Sequence, residues 1–256
     1  MNSKPIILCE NRFLDGALTA SATGDGNVLN LIDYRTFSHW KGVDLTTVYI
    51  KVVGSVSKTA NSLGISGHNF GSAGATVSLE CSDDDFNVDT TVALAGFVPP
   101  NDKPIFKKFD QKSKRDWRLK LTGMTEIPEF TILHAGDYFI FPKFPHGSEF
   151  APIEEEGVDE GVDSAEGHTI GVTISNIKIT SSLSMKKVDP SWYEDTFKPL
   201  YDSHIRLYKP FFYAWDIINH PKDVYYMSMK RGSKHKAPFD PYRRSFKLDM
   251  VGVDLL

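Results

Sequence analysis

Cysteine is nearly absent from this chain: Cys9 and Cys81 are the only two in 256 residues. No disulfide framework can hold such a fold, so its stability must come from an apolar core, which a chain of this length can build. Both thiols sit in apolar, strand-like surroundings and read as buried and reduced, as in a protein assembled in a reducing cytoplasm. Long hydrophobic runs are also missing. None approaches the roughly 18 residues of a membrane span, and the opening MNSKPIILC is too short for the apolar segment of a signal peptide. The expectation is a soluble, unprocessed chain. Excess positive charge is lacking too: the net charge is −4 and the pI about 6.1. That balance disfavours nucleic acid as a partner.

Catalytic and metal-binding signatures are equally scarce. The histidines are scattered, and neither H-x-x-x-H nor C-x-x-C spacing occurs. There is no G-x-S-x-G elbow. The acidic runs DDDFNVD and EEEGVDEGVD lack the alternating layout and distant Glu of a calcium loop. No catalytic residue, metal or cofactor is assigned, and the chain is expected not to be an enzyme.

What is present is β patterning. Short alternating runs recur between clusters of Gly, Pro, Asn and Asp, as in a two-sheet sandwich. Strand-like runs occur at VLNLIDY (28–34), TTVYIKVV (46–53), 91–95, 105–109, WRLKLTG (117–123) and 130–141. In ATVSLECS, Ala75, Val77, Leu79 and Cys81 alternate with polar residues, placing one side on a core. The stretch APIEEEGVDEGVDSAEGHT, acidic and glycine-rich, reads as a solvated loop or linker. Strand-like alternation returns over 169–188. Asp189 then caps a helix with Pro190 at its first position. Trp192, Phe197, Leu200, Tyr201 and Ile205 can share its apolar face if Pro199 kinks or restarts it. The resulting division is a jelly-roll β-sandwich over 1–148, an acidic linker over 149–166 and a C-terminal β domain with one helix over 167–256.

The turn NSLGISGHNFGSAGATVSLECSDD (61–84) could be taken for a phosphate cradle, but a strand rather than a helix follows its glycines and no Lys lies among them. Gly67, His68, Asn69, Gly71 and Gly74 read as a structural turn between two strands, with His68 ordering the bend or packing at the sandwich end. Tyr34, His39 and Trp40 are the candidate glycan contacts. The stretch MKRGSKHKAPFDPYRR (229–244), with Lys230, Arg231, Arg243 and Arg244, reads as a solvated loop, a protein interface or, least, a nucleic-acid site. Together with the acidic run at 154–166 it suggests self-complementary assembly.

In order along the chain, NLIDYRTFSHWKG, NSLGISGHNFGSAGATVSLECSDD, DWRLKLTG and ILHAGDYFIFP resemble a family of tailed-bacteriophage virion proteins. Its N-terminal part is a discoidin-like (F5/8 type C, galactose-binding-like) jelly roll. The matching positions are Trp40, the run from Gly67 to Ala75, Trp117 to Leu119, and Gly136. WYEDTFKPL, KPFFYAWDIINHPKDVYY and RRSFKLDMVGV are similar to the C-terminal part of the same proteins. The resemblance implies a non-enzymatic structural component of a tail or baseplate in the virion, forming a ring-like homo-oligomer beside other tail proteins, without a membrane. Trp192, Phe197, Tyr201, Phe211, Phe212 and Tyr213 are then interface candidates, because the C-terminal part offers more large apolar groups than a small domain readily buries. The alternative is a carbohydrate-binding module that contacts host surface glycan.

Overall fold

The computed structural model describes residues 4–145, 150–233, 235 and 242–254. The chain divides into two compact units, one of Pro5–Ile140 with Phe212–Val224, the other built mainly from Phe141–Phe211 and Tyr225–Leu256. The expected boundary at residue 148 lies outside the described residues.

The N-terminal unit is a β-sandwich. One sheet has five antiparallel strands in the order Gly16–Ala20, Val48–Gly54, Asp116–Thr122, Thr76–Ser82 and Thr91–Phe97. The alternation seen in sequence becomes rows of apolar side chains across it. Val52, Trp117 and Cys81 form one row, Ile50, Leu119 and Leu79 the next, Val48, Leu121 and Val77 the third. All nine are buried. The opposing sheet runs Ile132–Gly136, Lys58–Ser66, Ile105–Lys114 and supplies Ala60, Leu63, Ile65, Leu133 and Ala135 to the same core. Two inner faces interdigitating in this way make the sandwich.

Three expectations for this unit change. Residues 28–32 form a short 3-10 turn instead of a strand. The Asn27 side chain accepts from the Leu29 amide at 2.9 Å, and the Asn30 side-chain amide donates to the His39 carbonyl at 2.7 Å, so side chains supply bonds that a strand neighbour would otherwise provide. The run 130–141 is broken into Glu129–Phe130, Ile132–Gly136 and Phe139–Ile140. Phe212 and Tyr213, expected at an interface, are fully buried. Their strand pairs with Ile6–Leu8, and the Phe212 ring packs edge-on against His134 at 5.4 Å.

The C-terminal unit has four antiparallel strands in the order Val224–Met229, Arg244–Asp254, Thr169–Val188, Glu154–Asp163. The expected acidic linker is thus largely a strand, because ten of its residues pair with Thr169–Val188. Backbone bonds to that neighbour need no apolar alternation, so composition alone misleads there. One sheet face carries Leu183, Met185, Phe246 and Leu248, all buried, and Phe246 stacks on Phe197 at 4.4 Å. The helical stretch is made of Pro190–Trp192, Tyr193–Phe197 and Lys198–Ser203. Asp189 accepts from the amides of Ser191 and Trp192 at 2.9 and 3.1 Å. In the middle segment the hydrogen bond lengthens, Lys198 amide to Tyr193 carbonyl. This wider turn directly precedes Pro199, whose missing N–H and ring would otherwise break a regular helix there.

Candidate functional site

At one end of the sandwich three two-residue strands, Asp25–Gly26, Trp40–Lys41 and Glu129–Phe130, form a small sheet. Their register puts Asp25 and Glu129 on either side of Lys41, and Gly26 and Phe130 on either side of Trp40. Successive side chains point to opposite faces, so the charged row and the aromatic row separate. Trp40 is fully buried. Its indole donates to the Thr23 hydroxyl at 3.0 Å, and its ring meets Phe130 edge-on at 5.6 Å. A sugar cannot stack on it, which corrects the expectation from its loop setting. Gly26 has φ of +72°, and a Cβ there would lie 2.1 Å from the His39 carbonyl oxygen, so only glycine permits this crossing.

The opposite row faces solvent. Lys41 Nζ lies 3.1 Å from Glu129, His39 Nε2 is 3.5 Å from Asp25 and His39 Nδ1 is 4.0 Å from Glu129. The bond from the Gly26 amide, with the nearby His39, holds the Asp25 carboxyl below its usual range. Two residues before His39, Phe37 is 80% exposed, with the Arg35 guanidinium 6.0 Å from its ring centre. Tyr34, partly buried, has φ of +67°. Sequence reading singled out Tyr34 and His39 but missed Phe37, Asp25, Lys41 and Glu129. Only the pairing of strands remote in sequence brings the last three together.

The glycine turn is the brace behind this row. Asn69 donates to the Ile127 carbonyl and accepts from the Glu129 amide, both at 2.9 Å, clamping the strand that carries Glu129. His68 is buried and stacked on Phe70 at 4.9 Å. Its Nδ1 accepts from the Phe70 amide at 3.2 Å, which leaves Nε2 to donate to the Lys103 carbonyl at 2.9 Å. Burial pushes this imidazole down to about 4. Gly67 has φ of +61°, and a Cβ there would meet the Thr131 hydroxyl at 2.2 Å. Asp102 receives the Gly71 and Ser72 amides at 2.7 and 3.1 Å. Gly74, at φ +61°, completes the bend.

Three other reactive side chains of this unit, Cys9, Cys81 and Asp84, are engaged within the fold. Burial raises both thiols, Cys81 to about 11. Asp84 accepts from the amides of Asn87, Val88 and Asp89, so its carboxylate is occupied by its own loop. Among the described residues no group of three or more His, Cys, Asp or Glu could hold a metal.

In the C-terminal unit, Phe197 and Phe211 are fully buried core residues, which removes them as docking side chains. Trp192 and Tyr201 are partly buried. Trp192 stacks on Phe197 at 6.0 Å and Tyr201 lies 6.0 Å from the same ring. The expected interface aromatics are therefore mostly the core itself: one helix and one sheet face suffice to cover them. Lys230, Arg231 and Arg243 are exposed, whereas Arg244 is mostly covered and lies 3.4 Å from Glu194. Residues 234 and 236–241 of the basic stretch lie outside the described residues.

No protein-family profile and no curated protein sequence matches the chain. Solved structures with a similar chain path include carbohydrate-binding modules. The CBM32-5 module from Clostridium perfringens, solved with GalNAc-β-1,3-galactose, is 13% identical over 50% of this chain and 99% of its own, with a TM-score of 0.43. Chitosan-binding module 1 of a Paenibacillus chitosanase/glucanase is 16% identical over 49% and 98%, with a TM-score of 0.41. The CBM32 of AlyQ, solved with 4,5-unsaturated mannuronic acid, is 20% identical over 46% and 92%, also at 0.41.

Proposed function

We propose that this chain is a non-enzymatic glycan-recognition protein that binds a sugar at the Asp25–Lys41–Glu129 row. The observation that carries the reading is a braced, solvent-facing line of alternating acceptors and donors, with an exposed aromatic ring, Phe37, two residues before His39 in the chain. Vicinal hydroxyls both donate and accept, so carboxylates flanking an ammonium match a pair of them. An aromatic face covers the C–H side of a pyranose. The chemistry suits a neutral, polyhydroxylated ligand. The test is a printed glycan array followed by calorimetry on the best-retained sugar. Phe37→Ala and Glu129→Gln are each expected to weaken binding by about tenfold or more while the fold is kept. Retention of no glycan, or unchanged affinity in both variants, overturns the reading.

The second reading is a structural part of a phage tail or baseplate, localised in the virion, with glycan recognition as its outward task. It is favoured by the long hairpin Glu154–Val188, in which, among the described residues, 169–176 pair with the acidic strand alone. A two-stranded ribbon is marginal alone in water and suits a contact with another chain. Antibody labelling of purified particles at the tail end supports this reading, and absence from particles ends it.

A further inference from the structure

On the outward face of the C-terminal sheet, two hollows of about 470 and 350 Å³ share two residues, Lys230 and Arg231. The lining of the larger includes Glu154, Ser182, Lys247 and Asp249, that of the smaller Lys178 and Val251. Lys247 is neutralised by Asp249 at 3.0 Å. Neither Lys230 nor Arg231 makes an ion pair among the described residues, and both are exposed. Their turn is held rigid: the Lys230 amide donates to the Asp249 carbonyl at 2.9 Å, and the Ser233 hydroxyl and amide both return to the Lys230 carbonyl. Two exposed cations on a hydrogen-bonded turn, shared by two hollows, form a receptor for an extended chain carrying spaced carboxylates.

The same chain contains such a segment. Glu154–Asp163, sequence EEEGVDEGVD, has six acids and no base, and it is the edge strand of its sheet. Glu154, Glu155 and Glu156 are exposed. Pairing two such edges with each other would set carboxylates against carboxylates, which opposes edge-to-edge association. The complementary surface is the basic turn. We propose that the acidic edge strand of one copy docks across the Lys230–Arg231 turn of a second copy, so that this chain self-associates through reciprocal acid–base contacts. An isologous pair makes this contact twice, once in each direction. The proposal concerns a different unit from the glycan row and does not rest on it.

The test is sedimentation velocity of the full chain at about 50 and about 500 mM salt, where screening lengths differ severalfold. Association at low salt that is lost at high salt is expected. Lys230→Glu with Arg231→Glu, and separately Glu155→Lys with Glu156→Lys, are each expected to weaken it by on the order of tenfold or more. Mixing the two reversed proteins restores association, which a folding defect in either would not do; circular dichroism checks each fold. A monomer at both salts, variants that associate like the parent, or a mixture that stays monomeric overturns the proposal. Glycan retention by the same variants is unchanged if only this contact is affected.

Discussion

The two units solve the same problem, covering a β-sheet, in opposite ways. The N-terminal unit closes one sheet on another, so nearly every inward residue of its central strands is fully buried. Its variable chemistry is left to short strands and turns at one end. The C-terminal unit covers one face of its sheet with a single irregular helix and keeps the other face polar, with Lys178, Thr180, Ser182, Lys247 and Asp249 along it. The first arrangement suits a rigid platform for a small site. The second leaves a charged surface and an acidic edge strand, features that become useful when another chain is present.

Substitutions can break this contrast, beginning with the largest effect. Trp40→Ala removes a fully buried ring that supports both the core and the three short strands, and is expected to cost about 3–5 kcal/mol. Chemical denaturation followed by the remaining tryptophans reads this as a lower midpoint, with glycan binding lost as well.

Acid comes next, and it weakens both units. In the folded chain burial holds His68 down to about 4, against about 6.5 unfolded. The unfolded chain therefore takes up the proton first as pH falls. Stability from this group is whole above pH 6.5 and drains away on the way down to pH 4, by on the order of 3 kcal/mol. His204 in the C-terminal unit is also lowered by burial and acts with the same sign. Denaturation midpoints between pH 7 and 4 should fall for the parent and fall less for His68→Gln. An equal slope in both would show that His68 is not the acid-sensitive group.

A smaller effect sharpens the comparison from the other side. Asp189→Ala strips the cap from the helix that covers the C-terminal sheet and should cost about 1 kcal/mol. Hydrogen exchange should quicken at the Ser191 and Trp192 amides, which Asp189 now holds. The smallest expected change in stability is that of Phe37→Ala, within about 0.5 kcal/mol, because the ring is already exposed. Its effect should appear in glycan binding alone, and a large loss of stability would mean that Phe37 supports the fold instead of a ligand.

The sandwich was legible where one face of a strand is wet and the other dry. Ala75 to Ser82 and Trp117 to Thr122 declared themselves by alternation, and Asp189–Pro190 declared a helix start by capping chemistry. Phe211–Ala214 could not be read in the same way: it is buried along its whole length, so its aromatics looked like surplus apolar surface. The acidic run 154–163 failed for the converse reason, since a strand at a sheet edge can be stabilised by its backbone bonds while its composition remains that of a loop.

Local sequence by itself determined the strand periods, the helix cap and the glycines that admit positive φ, because each depends on neighbours within a few residues. Tertiary structure alone decided that Trp40 turns inward, that Phe37 stays out, and that Asp25, Lys41 and Glu129 stand in one row. Those outcomes depend on which two-residue strands meet. That pairing is set by the Trp40–Phe130–Phe70 packing and the Asn69 clamp, and these partners lie tens of residues apart along the chain.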